Sequence, residues 1–193
     1  MTSNAAARGF AQLTSLLFHP AVTVPVGLVL IGFIAGGWRW AAASLVFGAL
    51  PPCALAVVLR VAGIIESFNV PHRGQRVVLL FVVIGMELAA GLVYWGIGAP
   101  QGLVVAQLSM TAGLGALMLG TFWTKVSAHA GLLGVVVATL VIEGGPSFLP
   151  LFVLVPVVAV ARVLIDAHTP RQAIYGATVP PLVALVTGWL LWL

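Results

Sequence analysis

Long apolar runs separated by short polar breaks dominate the chain. A membrane-spanning helix needs about 17–25 predominantly apolar residues, and runs of that kind recur from residue 21 onward. The first covers Ala21 to Gly37, the second Ala41 to Leu59, the third Val77 to Ile97 and the fourth Gly102 to Trp123. A shorter fifth covers His129 to Ile142, the sixth Phe148 to Ile165 and the seventh Gln172 to Leu193. The pattern predicts an all-α fold, a polytopic transmembrane helical bundle of six or seven spans. Pro51 and Pro52 fall in the middle of the second run and predict a kink there; Pro150 and Pro156 lie in the sixth. Arg39, between Trp38 and Trp40, marks an interfacial turn with an aromatic belt.

The first twenty residues differ. They hold one Arg and the apolar residues Phe10, Leu13, Leu16, Leu17 and Phe18, with no continuous apolar stretch of the kind a secretory signal needs. Positions 10, 13 and 17 share one helical face, which predicts an amphipathic helix lying on the membrane surface. The domain reading is therefore an interfacial segment over residues 1–20 and one transmembrane domain over 21–193.

Composition supports this. Hydrophobic residues make up 62% of the 193 and charged residues 6%, against roughly a quarter charged in soluble domains. So few charges cannot cover a soluble surface, which excludes a soluble enzyme, a disordered chain and a disulfide scaffold. The single cysteine, Cys53, admits no internal disulfide. The net charge of +4 does not point to nucleic acid, because the basic residues are scattered between apolar runs. The expected surroundings are the lipid bilayer of the cell membrane.

Seven spans alternate sides. With the N-terminal side called X, the polar segments Glu66–Arg76, Lys125–His129 and Arg162–Arg171 all emerge on X, while the Arg39 turn, Gly98–Gln101 and Glu143–Pro146 emerge on the opposite side, Y. Within the spans, Ala112, Ala116 and Gly120 recur every four residues, a spacing that lets helix backbones approach closely. It reads as packing inside one bundle. Glu87 lies inside the third span; an ionisable group there is either a functional residue or a hydrogen-bonded interhelical contact.

Side X carries the candidate chemistry. Arg73, Arg76, Lys125, Arg162 and Arg171 are five cations at one membrane surface. Arg forks match phosphate oxygens in bidentate geometry. Predicted helix N-termini at Ser127 and Thr169 add free backbone N–H groups and positive dipole ends. His129 and His168 stand beside them, and imidazole is the side chain best suited to attack phosphorus or move protons near neutral pH. Together these make a phosphate site. Each part also has a structural reading. Arg73, Arg76 and Arg171 taken singly are interface anchors. Ser127 and Thr169 suit N-caps, Pro170 suits the first helical position, and Thr169-x-x-Gln172 has capping-box spacing. Arg162 and Asp166 stand one helical step apart, as an i,i+4 ion pair would.

The order Ser127-Ala-His129, then Arg162-x5-His168-x3-Gln172, resembles the second and third signatures of the type-2 phosphatidic acid phosphatase and vanadium haloperoxidase superfamily. The resemblance spans about residues 66 to 176. It implies that Ser127 and neighbouring N–H groups hold phosphate, that His129 protonates the leaving oxygen, that Arg162 clamps phosphate oxygens, and that His168 is the nucleophile forming a phospho-histidine. No metal and no cofactor enters that scheme. Gln172 stands where the family has the Asp that orients the nucleophile; its carbonyl can accept the ring N–H. Ala128 replaces a glycine. The family's first signature is absent as such, with Arg73 and Arg76 in its place and Lys125 close to Ser127.

The function expected on this basis is an integral membrane phosphatase. It would hydrolyse a lipid-linked phosphate monoester or diphosphate, of the polyprenyl phosphate or phosphatidate type, with the phosphorylated membrane lipid as its partner. The alternative is a non-catalytic lipid-phosphate binder or flippase on the same scaffold. A transporter or channel is opposed by the near absence of intramembrane charge. The four acidic residues, with no Asp-x-x-Asp motif, argue against a dinuclear metal site. Side X holds Arg8, Arg60, Arg73, Arg76, Lys125, Arg162 and Arg171, and side Y Arg39 alone, so the positive-inside rule places X in the cytoplasm. A reporter fused after Leu193 is expected to read as extracytoplasmic; a cytoplasmic signal there reverses the assignment.

Overall fold

The computed structural model describes residues 2–68, 70 and 72–193; Asn69 and Pro71 of the predicted polar loop lie outside them. The described chain is a bundle of helices with no strand. Helix α1 covers Thr2–Leu17 and α2 Pro20–Gly36. A continuous helical rod follows, built from α3 (Trp38–Ala43), a π-helical turn (Ser44–Ala49) and α4 (Leu50–Val61). Then come α5 (Arg73–Gly96), α6 (Gln101–Trp123) and α7 (Ala128–Gly144). A 3₁₀ segment (Pro146–Val153) leads into α8 (Leu154–Leu164), and α9 (Pro170–Trp192) closes the chain.

Five of these units are long and apolar enough to cross a membrane: 38–61, α5, α6, 146–164 and α9. The pair α1 and α2, bent by 48°, makes a sixth when taken together. The remaining apolar helix, α7, has 17 residues. The protein is a multi-pass membrane protein. Large apolar side chains such as Val58, Phe81, Leu92 and Trp95 face outward, as lipid requires.

Helix α7 is the centre. Every residue from His129 to Leu140 is buried, and α2, α6, α8 and α9 pack around it. Its sequence is apolar on all sides, which is the pattern of an enclosed helix rather than an amphipathic one. Close approach depends on small residues. A Cβ added at Gly176 of α9 would stand 2.5 Å from the Ser127 carbonyl oxygen and 3.3 Å from the Ser127 Cβ. The stripe of small residues on α6 serves the same purpose: Gly120 lies against the Tyr175 ring, and the Tyr175 hydroxyl donates to the Ala116 carbonyl at 3.4 Å. It is packing within one bundle, as its spacing implied.

Several local expectations hold and others are corrected. Thr169 and Gln172 form the capping box, with Pro170 at the first helical position of α9. The distortion expected at Pro51 and Pro52 takes the form of a π-helical turn directly before them, and the helix continues through it. Both prolines occupy the first turn of α4, where the missing N–H groups are absorbed by the π-helical turn, so the rod from 38 to 61 stays continuous. Glu87 is an interhelical contact, its carboxylate and its backbone carbonyl both accepting from the Gln107 amide of α6. The N-terminal segment is not separate from the bundle. Helix α1 packs along α8. It buries Ala11, Thr14 and Ser15 and leaves Phe10, Leu13, Leu16 and Leu17 exposed. The apolar stripe of the sequence faces outward, as a membrane-facing helix requires, and the inward face meets a charged residue of α8.

Packing at Gly176 supports the turn that carries Ser127, so Gly176→Ala is expected to destabilise the protein by about 1–3 kcal/mol, the usual cost of overpacking. Gly115 of α6 has open space at the Cβ position, so Gly115→Ala is expected to be neutral or stabilising. Thermal unfolding of the two variants in detergent distinguishes these outcomes.

Candidate functional site

Side X is where the candidate residues meet. The turn between α6 and α7 (residues 124–127) and the turn between α8 and α9 (residues 165–169) lie against each other. The Ser127 N–H donates to the Gln172 carbonyl at 3.3 Å, and the Gln172 Nε2 donates to the Thr124 hydroxyl at 3.2 Å. The second turn is tight. The N–H groups of Ala167 and His168 both reach the Arg162 carbonyl, at 3.1 and 3.3 Å. Asp166 adopts a left-handed backbone, φ 58°, a conformation that Asp tolerates better than most residues.

His168 is buried, 8% exposed, and its Nδ1 lies 3.0 Å from the Lys125 carbonyl. A carbonyl only accepts, so Nδ1 carries the proton and, in the neutral ring, Nε2 carries a free lone pair. Burial, reinforced by the Arg162 charge, pushes the imidazole down from its ordinary 6.5 to about 4. The ring is therefore neutral at physiological pH. Lys125 is also held below its ordinary value, by burial first and then by Arg76 and Arg162. His168, Thr169 and Gln172 line an open depression at this surface.

Arg162 is buried in the last turn of α8, 8% exposed. Its Nη1 donates to the Ser15 hydroxyl of α1 at 2.7 Å, and its Nε has no partner. Ser127 is wholly buried at the N-cap of α7, and its hydroxyl likewise has no partner. Two orphaned polar groups, one of them charged, are expensive to bury. The ion pairs among the described residues, Arg8–Asp166 and His72–Glu66, are both exposed and involve neither group. His129 is buried in the first turn of α7, with its ring edge-on to the His19 ring at 5.1 Å between centroids. It lies within electrostatic reach of Arg162, His19, His168 and Arg76.

Some of the expected residues have other roles. Arg76 is buried and braces the loops, with Nη1 donating to the Val126 carbonyl at 2.8 Å and Nη2 to the Val70 carbonyl at 3.1 Å. Its charge still belongs to the cluster, but its fork is engaged with backbone. Arg73 is exposed at the rim, donating to the Trp123 carbonyl at 3.4 Å; Arg171 is exposed beyond it. Gln172 does not orient His168. Its carbonyl accepts the Thr169 N–H at 3.1 Å and its amide goes to Thr124, so the ring N–H it was expected to hold goes to Lys125 instead. Asp166 is not paired with Arg162 either; its carboxylate meets Arg8 at 2.9 Å.

Two site residues were not singled out from sequence, Ser15 and His19. Ser15 sits on the inward face of α1. His19 caps α2, its Nδ1 accepting the Ala21 N–H at 3.2 Å. A His directly before a Pro at the first helical position was the available signal for His19.

His168 also sets a pH expectation. Its folded value lies below the ordinary one, so neutral His168 contributes stability that is complete above about 6.5 and is lost as the pH falls toward about 4. Unfolding followed across this window is expected to show that loss, and His168→Gln is expected to make the slope shallower; an unchanged slope in the variant refutes the assignment.

Comparison with family models, with curated proteins and with solved structures finds no match to this chain, which leaves the chemistry of the site itself to carry its interpretation.

Proposed function

We propose that the protein is an integral membrane phosphatase acting on a lipid-borne phosphate at the cytoplasmic face of the cell membrane. One observation carries the reading. A buried guanidinium without a carboxylate, the orphaned Ser127 hydroxyl and a neutral imidazole with its Nε2 lone pair free converge at one end of an apolar bundle. A phosphate supplies the missing counter-charge and the missing acceptors. A lipid places its phosphate at this depth and its tail in the bilayer, whereas a free sugar phosphate gains nothing from the surrounding apolar surface.

The chemistry follows from the geometry. His168 Nε2 attacks phosphorus in line, forming an N–P bond as the bond to the lipid oxygen breaks. Arg162, Lys125 and the free N–H groups of the first turn of α7 neutralise the equatorial oxygens. His129, protonated as the anionic phosphate binds beside it, gives its proton to the departing alkoxide, a poor leaving group without it. Water then attacks the phospho-histidine, His129 takes its proton back, and inorganic phosphate leaves. A lipid diphosphate reacts by the same steps, releasing the lipid monophosphate.

The second reading, a non-catalytic lipid-phosphate binder or flippase, is favoured by one feature. The His168 N–H meets a carbonyl, not a carboxylate, and a carbonyl stabilises a developing imidazolium less.

The experiment is phosphate release by the purified protein from polyprenyl phosphate, polyprenyl diphosphate and phosphatidate. Turnover is expected to survive chelators and to be inhibited by orthovanadate, a mimic of five-coordinate phosphorus. His168→Ala is expected to abolish turnover and spare lipid-phosphate binding. Activity lost on chelation, or retained in His168→Ala, overturns the mechanism; wild-type binding without turnover favours the second reading.

A further inference from the structure

Resting on the lipid-phosphate reading, we propose that the N-terminal corner between α1 and α2 is a working wall of the site, in which Ser15 orients the Arg162 clamp and His19 positions His129.

The way α1 docks is the first support. The outward Phe10, Leu13, Leu16 and Leu17 of α1 face the surroundings as lipid requires, so what docks the helix is read from its inward face, which buries Ala11, Thr14 and Ser15. The inward hydroxyl has a specific partner, the Arg162 Nη1 at 2.7 Å, across 147 residues of chain. A guanidinium is planar, so fixing one of its nitrogens by a short hydrogen bond restricts rotation of the whole group. The edge left over is the one that carries the unpartnered Nε. Ser15 therefore does not neutralise Arg162; it sets its orientation and leaves its charge uncompensated.

His19 gives the second support. Asn, Asp, Ser and Thr are the preferred N-caps, yet the cap of α2 is a histidine. Its Nδ1 is occupied by the Ala21 N–H, which fixes the ring at the corner. That ring meets His129 at 89°, with 5.1 Å between centroids. Edge-to-face contact with an anchored neighbour limits rotation of the His129 ring, and an acid that must reach one leaving oxygen depends on that angle. A serine at position 19 would cap the helix equally well and supply no such contact.

The full-length protein is assayed on a lipid phosphate monoester and on an aryl phosphate with an activated leaving group. Ser15→Ala is expected to raise KM for the lipid phosphate about tenfold with kcat nearly unchanged, the size of one lost hydrogen bond to a charged group, and Ser15→Thr to restore it. His19→Ser, which keeps the cap, is expected to lower kcat about tenfold on the lipid ester and far less on the aryl phosphate, a fraction of what a general acid supplies. Arg8→Gln removes only the exposed ion pair to Asp166 and is expected to change neither constant. Orthovanadate binding is measured on the same proteins, and Ser15→Ala is expected to weaken it about tenfold. Wild-type kinetics in Ser15→Ala and His19→Ser overturn the proposal while the phosphatase reading stands. A gain of activity in Ser15→Ala also overturns it, making α1 a lid that competes with substrate. A wild-type protein that neither turns over lipid phosphate nor binds vanadate ends both readings together.

Discussion

The turn between α6 and α7 leaves backbone carbonyls outside any helical ladder, and on a membrane protein such groups must find donors within the protein or in the interfacial water. The donors here are the residues of the site. Arg73 takes the Trp123 carbonyl, His168 the Lys125 carbonyl and Arg76 the Val126 carbonyl. One short turn therefore ties together two elements distant in sequence, the start of α5 and the turn before α9. The same bonds set the chemistry. Had His168 been held by a carboxylate, its proton and charge would be shared with the holder; held by a carbonyl, it is confined to one tautomer and left neutral. The packing of the side X face and the tautomer of His168 depend on the same few carbonyls.

A consequence is that the cluster gathers positive charge with little of the opposite sign nearby. Arg76, Arg162 and Lys125 act on each other and on the histidines, and the carboxylates of Glu66 and Asp166 are turned to exposed partners. Like charges at short range in a partly dry environment repel strongly. Hydrogen bonds to carbonyl dipoles lower that cost without cancelling the charge. An arrangement of this kind favours an anion beside it, because one negative charge relieves repulsion among several side chains at once.

The spans were legible because apolar length is a local property. Each segment must satisfy its own backbone in lipid, so its extent is written in its own residues, and the capping box at Thr169 and Gln172 is local for the same reason. The gathering of residues 125–129 with 162–172 followed from counting crossings. What failed were assignments of partners. Asp166 sits at the right spacing for an i,i+4 pair with Arg162, but α8 ends at Leu164; the left-handed turn at Asp166 swings the carboxylate away to Arg8. Gln172 sits at the family's Asp position and at a capping-box position, and the box wins because the Thr169 N–H lies within reach at the helix end. The outward apolar stripe of α1 follows its periodicity, but periodicity does not name the neighbour that the other face meets. Ser15 was unreadable for that reason: nothing near it in sequence announces an arginine 147 residues away.

The central helix explains why such a site can be held at all. Ser127 and His129 sit at the start of α7, whose body is enclosed on every side, so their positions are fixed by packing along the helix rather than by the loop that precedes it. Arg162 and His168 flank a turn that is tied to that helix by the Lys125 carbonyl and by the backbone bond from Ser127 to Gln172. By contrast, α1 contributes a hydroxyl, bonded to the buried Arg162, and an exposed ion pair, of which the second is breakable at small cost. Ser127, His129, Arg162 and His168 are thus all buried in the part of the molecule that packs around α7. Ser15 comes from α1, which packs along α8 and turns an apolar face outward, and His19 from the corner that caps α2.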